Sequence, residues 1–341
     1  MIQPQETYRS LFRDHVDRLL DPSDGIQELN AVRELSEIFR EITGGDEKLL
    51  GSFIDTRSGR ALSPKSAADC FYDVTRVQVF LRGICDAVRE AQKRFPNEKI
   101  KILYAGCGPF AALGVLLASQ FSPKEIEILP IEIQEVSAEC ARQVIKVLGL
   151  ELYMPEVIHG NAAKYRNDGQ SPHVIVTETM YQGLLNEPQA AITANLAPQL
   201  KEGGIFVPER VDVSAWLASE KGGLSLGQQL GTLACLRADS RSELRSMVDA
   251  GVNGRFEIFP FSERQNVILS TRVKVFGSHN LTDYDSLVTM PRRIGQIDAL
   301  QRTELVIKYR FGDDCDSMGM IRHRDEAKGK DVVIITTRRK N

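Results

Sequence analysis

The chain has 341 residues, of which 42% are hydrophobic and 26% charged, and its formal net charge is −3. This length suggests two domains, or one large domain with additions, and allows a core that needs no disulfides. The balance of 43 basic and 46 acidic residues excludes a basic footprint for nucleic acid and any strong pull toward an anionic membrane, while leaving room for a local acidic pocket that takes a cation.

Residues 1–60 read as helical. Tyr8, Leu11, Phe12, His15, Val16, Leu19 and Leu20 recur at three- and four-residue steps. Asp21-Pro22-Ser23-Asp24-Gly25 is a break, and Ile26, Leu29, Val32, Leu35, Ile38, Phe39 and Ile42 repeat the pattern before Gly44-Gly45 stops it. This segment carries no recognisable chemistry; packing, gating or dimer contact is its expected role. The start of the chain is charged throughout and has no secretory apolar region.

Residues 68–92 predict another amphipathic helix. Strands and helices then alternate: Lys101–Ala105, a turn at Gly106-Cys107-Gly108-Pro109, a helix from Phe110 to Gln120, a strand at 126–131, a helix at 137–148, short strands at 157–158 and 173–177, a helix at 187–200, and a strand at 205–207. This alternation implies a parallel, doubly wound α/β sheet. Residues 102–123 contain no charged side chain, which raises the question of a membrane span. Their glycines and proline favour a buried strand, turn and helix instead, so no membrane partner is expected.

Beyond Pro208 the texture changes. Val211–Leu217 reads as a strand, residues 224–252 as mostly helical, and the remainder as short β-like runs. The expected division is therefore 1–67 (N-terminal helical segment), 68–209 (α/β domain) and 210–341 (β-rich domain with a helical insertion at about 224–252). The six cysteines form neither a CxxC pair nor a zinc-type cluster, so reduced thiols in a cytoplasmic protein are expected and no metal site.

Three segments suggest chemistry. The glycine turn at 106–108 lets the backbone approach a ligand closely. It lacks the third glycine of a dinucleotide fingerprint, since Phe110 or Ala111 stands there, which argues against a nicotinamide dehydrogenase. Glu132 follows Gly106 by 26 residues at the end of the second strand, where a carboxylate can accept from both ribose hydroxyls. Asn161 and Ala162 follow the third strand, in a loop that the resemblance given below implies flanks an adenine. After the fourth strand, Glu178 and Glu187 bracket an uncharged octapeptide at a carboxyl strand end. Two carboxylates brought together there would grip a planar guanidinium bidentately.

ILYAGCGPFA followed by LPIEIQEVSAECARQVIKVLGL resembles the first two motifs of class I S-adenosylmethionine (SAM)-dependent methyltransferases. The resemblance implies a Rossmann-like domain in which Gly106, Cys107 and Gly108 cradle the methionine part of SAM, Glu132 takes the ribose, and S-adenosylhomocysteine is the product. The nine-residue step from Glu178 to Glu187, Met180 after the first and Leu184-Leu185 before the second are similar to the double-glutamate loop of the protein arginine N-methyltransferase family. Tyr181 stands where that loop has glycine. By the same resemblance Arg76, in Asp73-Val74-Thr75-Arg76, holds the SAM carboxylate; Glu178 and Glu187 are catalytic; Glu178, Met180, Tyr181 and Glu187 face the substrate; and the β-rich domain is barrel-like, with a helical arm that builds a homodimer. The acceptor implied is a guanidinium nitrogen of arginine. It could belong to free arginine or another small guanidine, as in related enzymes of natural-product biosynthesis, or to a protein. The alternatives are a SAM-dependent methyltransferase acting on an oxygen, carbon or ordinary amine of another small molecule, and a non-catalytic binding protein on the same fold.

Overall fold

The computed structural model describes residues 4–20, 25–169, 171–239, 241–299, 301–326 and 330–337. The expected break at 21–24 lies outside the described residues. Helices α1 (Pro4–Leu20) and α2 (Gly25–Thr43) pack against each other. A hairpin of β1 (Ile54–Thr56) and β2 (Gly59–Ala61) follows, then α3 (Pro64–Asp69) and α4 (Val74–Arg94). The hairpin corrects the reading of residues 1–60 as helical throughout. Its strands have three residues each, too few to show a period of two. The helix expected over 68–92 is likewise divided. Asp73 breaks it and caps α4, its carboxylate accepting from the Arg76 amide at 3.3 Å.

The α/β unit runs β3 (Ile100–Ala105), α5 (Ala112–Ala118), β4 (Ile126–Glu132), α6 (Glu135–Val147), β5 (Ile158–His159), β6 (Val174–Thr177), α7 (Gln189–Leu196) and β7 (Ile205–Val207). All five strands are parallel, in the order β5-β4-β3-β6-β7. The chain winds outward from β3 to β5 and returns to the other side of β3 with β6. That reversal makes the ends of β3, β4 and β6 the place where a doubly wound sheet binds ligands. The uncharged stretch at 102–123 is β3, the glycine turn and α5, mostly buried. Among the described residues no helix is long and apolar enough to cross a membrane.

Pro208 follows a cis peptide bond and leads into a β-rich unit: β8 (Arg210–Ser219), β9 (Gln228–Arg237), α8 (Arg241–Ala250), β10 (Val252–Ile258), β11 (Gln265–Phe276), β12 (His279–Leu281), β13 (Arg292–Ile297), β14 (Thr303–Tyr309), β15 (Met318–Asp325) and β16 (Lys330–Thr337). One sheet has the order β12-β11-β8-β9, with β13 also on β11; the other is β10-β14-β16-β15. The expected helical insertion at 224–252 is corrected: residues 228–237 pair with β8 as a strand, and among the described residues of that range only 241–250 are helical. Leu226, Leu230 and Leu233 have helical spacing, but Gly223, Gly227 and Gly231 interrupt any helix. The Cβ of any other residue at 227 would lie within contact of the β8 backbone.

A cluster of aromatic rings ties the N-terminal helices to the α/β unit. Phe39 of α2 is fully buried and stacks on Phe110, which follows the glycine turn, at 4.9 Å between centroids. Phe12 and Phe71 flank it at 5.3 and 5.6 Å. Phe39→Ala should lower unfolding stability by about 3–5 kcal/mol in urea denaturation; a loss under ~1 kcal/mol would mean that α2 does not pack on the glycine turn.

Candidate functional site

A cavity opens at the carboxyl ends of β3, β4 and β6, beneath the β1–β2 hairpin. Its wall carries Arg76, Gly106, Cys107, Gly108, Glu132, Asn161, Ala162, Glu178 and Glu187. The structure thus brings together every cofactor residue expected from the sequence, with both glutamates.

Local backbone geometry explains the glycine turn. Gly106 and Gly108 have φ of +74° and +66°, a region that other residues rarely adopt. A Cβ on Gly106 would collide with the Thr179 methyl group. Ala111 takes the left-handed conformation at φ 45° before α5, close to where a dinucleotide fingerprint has its third glycine. Glu132 is buried and accepts from the Gly108 amide with Oε2 and the Gln134 amide with Oε1, both at 2.8 Å. Burial raises its pKa, opposed by those backbone donors. The Cys107 thiol is buried, which pushes its pKa well up, so it lines the wall as a neutral group. Asn161 Oδ1 accepts from the Ala163 amide at 2.9 Å, and the Ala162 carbonyl from Asn195 at 2.9 Å, which fixes the loop after β5.

The charged floor is built by α4 and the loop after β6. Arg76 is buried and donates from Nη1 to Glu178 Oε1 at 3.3 Å and from Nη2 to the Cys70 carbonyl. Burial pushes the Glu178 carboxyl up to about 7 although Arg76 opposes the shift. Burial, and then repulsion from Glu178, pushes Glu187 up to about 8, again against Arg76. One arginine therefore faces two desolvated carboxylates.

The loop carrying those carboxylates is held from several sides. Gln189 Oε1 accepts from the Thr179 amide at 3.0 Å. The Gly183 amide donates to Thr271 Oγ1 of β11, and the Gly183 carbonyl accepts from the Tyr309 hydroxyl of β14, both at 2.7 Å. Gly183, Leu184 and Asn186 all have positive φ, so the backbone is bent against its preference and depends on these bonds. Asp73 Oδ2 accepts from Ser286 Oγ and the Leu287 amide at 2.7 and 2.9 Å, linking the start of α4 to the β-rich unit.

Two expected substrate residues lie elsewhere. Met180 is buried in the core and Tyr181 points toward Arg292 and Cys315; neither lines the cavity. Both follow the end of β6 at Thr177, in a loop without a strand's alternation, where Glu178 and Thr179 enter the cavity and the next two side chains turn away. Conversely Thr56, Arg60 and Leu62 of the hairpin region and Cys70 line the cavity and were not singled out in the sequence. Their one signal is the charge and polarity around the Ser58-Gly59 turn.

The electrostatics give a test independent of any activity. A carboxylate whose folded pKa is raised contributes stability below its unfolded value and loses it as pH rises through the folded value. Glu187→Gln removes that cost, so the variant should melt a few degrees above the wild type near pH 9, roughly 2–4 °C per kcal/mol relieved, with the gap closing near pH 5. Equal melting temperatures at pH 9 would mean that Glu187 is ordinarily solvated.

No protein-family model matches the chain, and no curated protein matches it. Among solved structures it is similar to one described as Trypanosoma brucei PRMT1 enzyme-prozyme heterotetrameric complex with AdoHcy, at 13% sequence identity and a TM-score of 0.49, the match covering 79% of this chain and 92% of that one.

Proposed function

We propose that this chain is a SAM-dependent methyltransferase that methylates a guanidinium nitrogen of arginine or of an arginine-like molecule. The observation that carries the reading is a single cavity with a nucleotide-type cradle at one part of its wall and two desolvated carboxylates at another.

The residues fit SAM. The positive-φ glycines leave open backbone where the turn borders the cavity. Glu132 sits at the end of β4, where a ribose is expected, with a carboxylate already oriented by two amides. Asn161 and Ala162 supply the adenine side and Arg76 the cation for the SAM carboxylate. When bound, SAM supplies a methyl group on a sulfonium sulfur and leaves as S-adenosylhomocysteine.

Glu178 and Glu187 then act on the acceptor. Ionised carboxylates accept N–H bonds from a guanidinium and hold its plane, and positioning of this kind supplies a large part of such a rate enhancement. Their charge draws the positive charge of the acceptor away from the attacking nitrogen. The acceptor loses one proton as it is methylated, and a carboxylate with a raised pKa is suited to take it at neutral pH.

The test is transfer of labelled methyl from SAM to L-arginine, agmatine, an arginine-rich peptide and a non-guanidine amine. Label is expected on a guanidine. Glu178→Gln and Glu187→Gln should each lower the rate by about 100-fold or more, while Glu187→Gln still binds S-adenosylhomocysteine. The catalytic efficiency kcat/KM should fall as pH drops below about 8 and again below about 7, as Glu187 and Glu178 take up protons. Binding of SAM with label only on the amine would reject the guanidine reading.

A further inference from the structure

The β1–β2 hairpin determines what can reach the two glutamates. Its tip lies between the loop of Glu187 and the loop that follows β14. The Arg60 amide donates to the Asn186 carbonyl at 2.6 Å. A Cβ on Gly59 would lie 2.8 Å from that carbonyl oxygen and 2.9 Å from the Glu187 carbonyl carbon, so the two backbones touch. On its other side the hairpin meets Gly312, where a Cβ would run into the Ser58 carbonyl and lie 3.0 Å from Gly59 Cα. The loop after β14 is itself bonded to the loop of Glu187: Gly312 amide to Leu184 carbonyl at 2.9 Å, Asn186 amide to Asp313 carbonyl at 2.8 Å, and Cys315 amide to Asn186 Oδ1 at 2.7 Å. These contacts close the hairpin tip onto both loops.

Arg60 and Arg76 are the two arginines that line the cavity among the described residues. Arg76 bonds Glu178 and the Cys70 carbonyl and is the arginine assigned above to the carboxylate of SAM. Arg60 is about one-third exposed and stands beside the backbone of the loop that carries Glu187. Asp55 accepts from its Nε at 2.8 Å, and its guanidinium carbon lies 5.5 Å from the centre of the Phe53 ring; a second carboxylate would be met by the terminal nitrogens. Its guanidinium pKa is raised by Asp55 first, with Asp314 and Asp316 adding to the effect. This end of the cavity therefore presents both signs of charge, as a zwitterion requires.

The geometry points to a free α-amino acid with a guanidinium side chain as the acceptor, its carboxylate held by Arg60. This rests on the guanidine methyltransferase reading and narrows it from any arginine to the unpolymerised amino acid. Arg60 is a specificity residue here, remote from the methyl group transferred.

The test compares kcat/KM for L-arginine, agmatine (the same guanidine without the carboxylate) and an arginine-containing peptide, with the full chain and with Arg60→Gln and Arg60→Lys. Wild type should prefer arginine to agmatine by about 10–100-fold, as expected for one charged hydrogen-bonded contact, and the peptide should be the poorest acceptor. In Arg60→Gln the arginine-to-agmatine ratio should collapse to within about threefold through a higher KM for arginine, and Arg60→Lys should restore part of it. A wild type that favours agmatine or the peptide would overturn the inference, as would an Arg60→Gln variant with an unchanged ratio; in each case the guanidine reading stands. A wild type that methylates no guanidine removes that reading and this inference together. Melting curves and S-adenosylhomocysteine binding of both variants show whether a lost preference comes with an intact fold and cofactor site.

Discussion

The Arg76 guanidinium stands among the carboxylates of Glu178, Glu187 and Asp73, and the site is organised around this crowding of acids on one cation. Arg76 offsets part of the cost of enclosing Glu178 and less of that for Glu187, so both carboxyls remain easier to protonate than in water. A cationic ligand completes the balance. Sulfonium and guanidinium are both cations, and the proposed reaction brings them to the same cavity.

The surrounding structure keeps these charges where they are. Asp73 joins Arg76 on α4 to Ser286 and Leu287 of the β-rich unit. Gln189, Thr271 and Tyr309 hold the loop between the glutamates in a backbone conformation that it would not adopt alone. Aromatic stacking of Phe39 on Phe110 fixes the N-terminal helices beside the glycine turn. The hairpin after α2 then contributes Thr56, Arg60 and Ala61 to the cavity wall. Each unit of the chain thus supports one wall of the site.

What was legible in the sequence is what is local in the chain. The five parallel strands follow from alternating apolar runs, and the turn at Gly106-Cys107-Gly108 from its glycines. Glu178 and Glu187 stand out because a ten-residue segment contains both. The hairpin does not, because three-residue strands carry no periodicity. Strand β9 was masked by leucines at helical spacing, and its register with β8 is set by residues from another part of the chain. Thr271 and Tyr309 are unremarkable in sequence; they matter because β11 and β14 fold back onto Gly183. Met180 and Tyr181, expected at the substrate, do not line this cavity for a related reason. Adjacency to a functional residue does not specify which way a side chain points where a strand ends.

A crystal structure with S-adenosylhomocysteine and L-arginine tests the central claim most directly. The account predicts the nucleoside between Glu132 and the Asn161–Ala162 loop, and the arginine guanidinium hydrogen-bonded to both Glu178 and Glu187. A bound nucleoside with arginine absent from the two glutamates, or located outside the cavity, would contradict it.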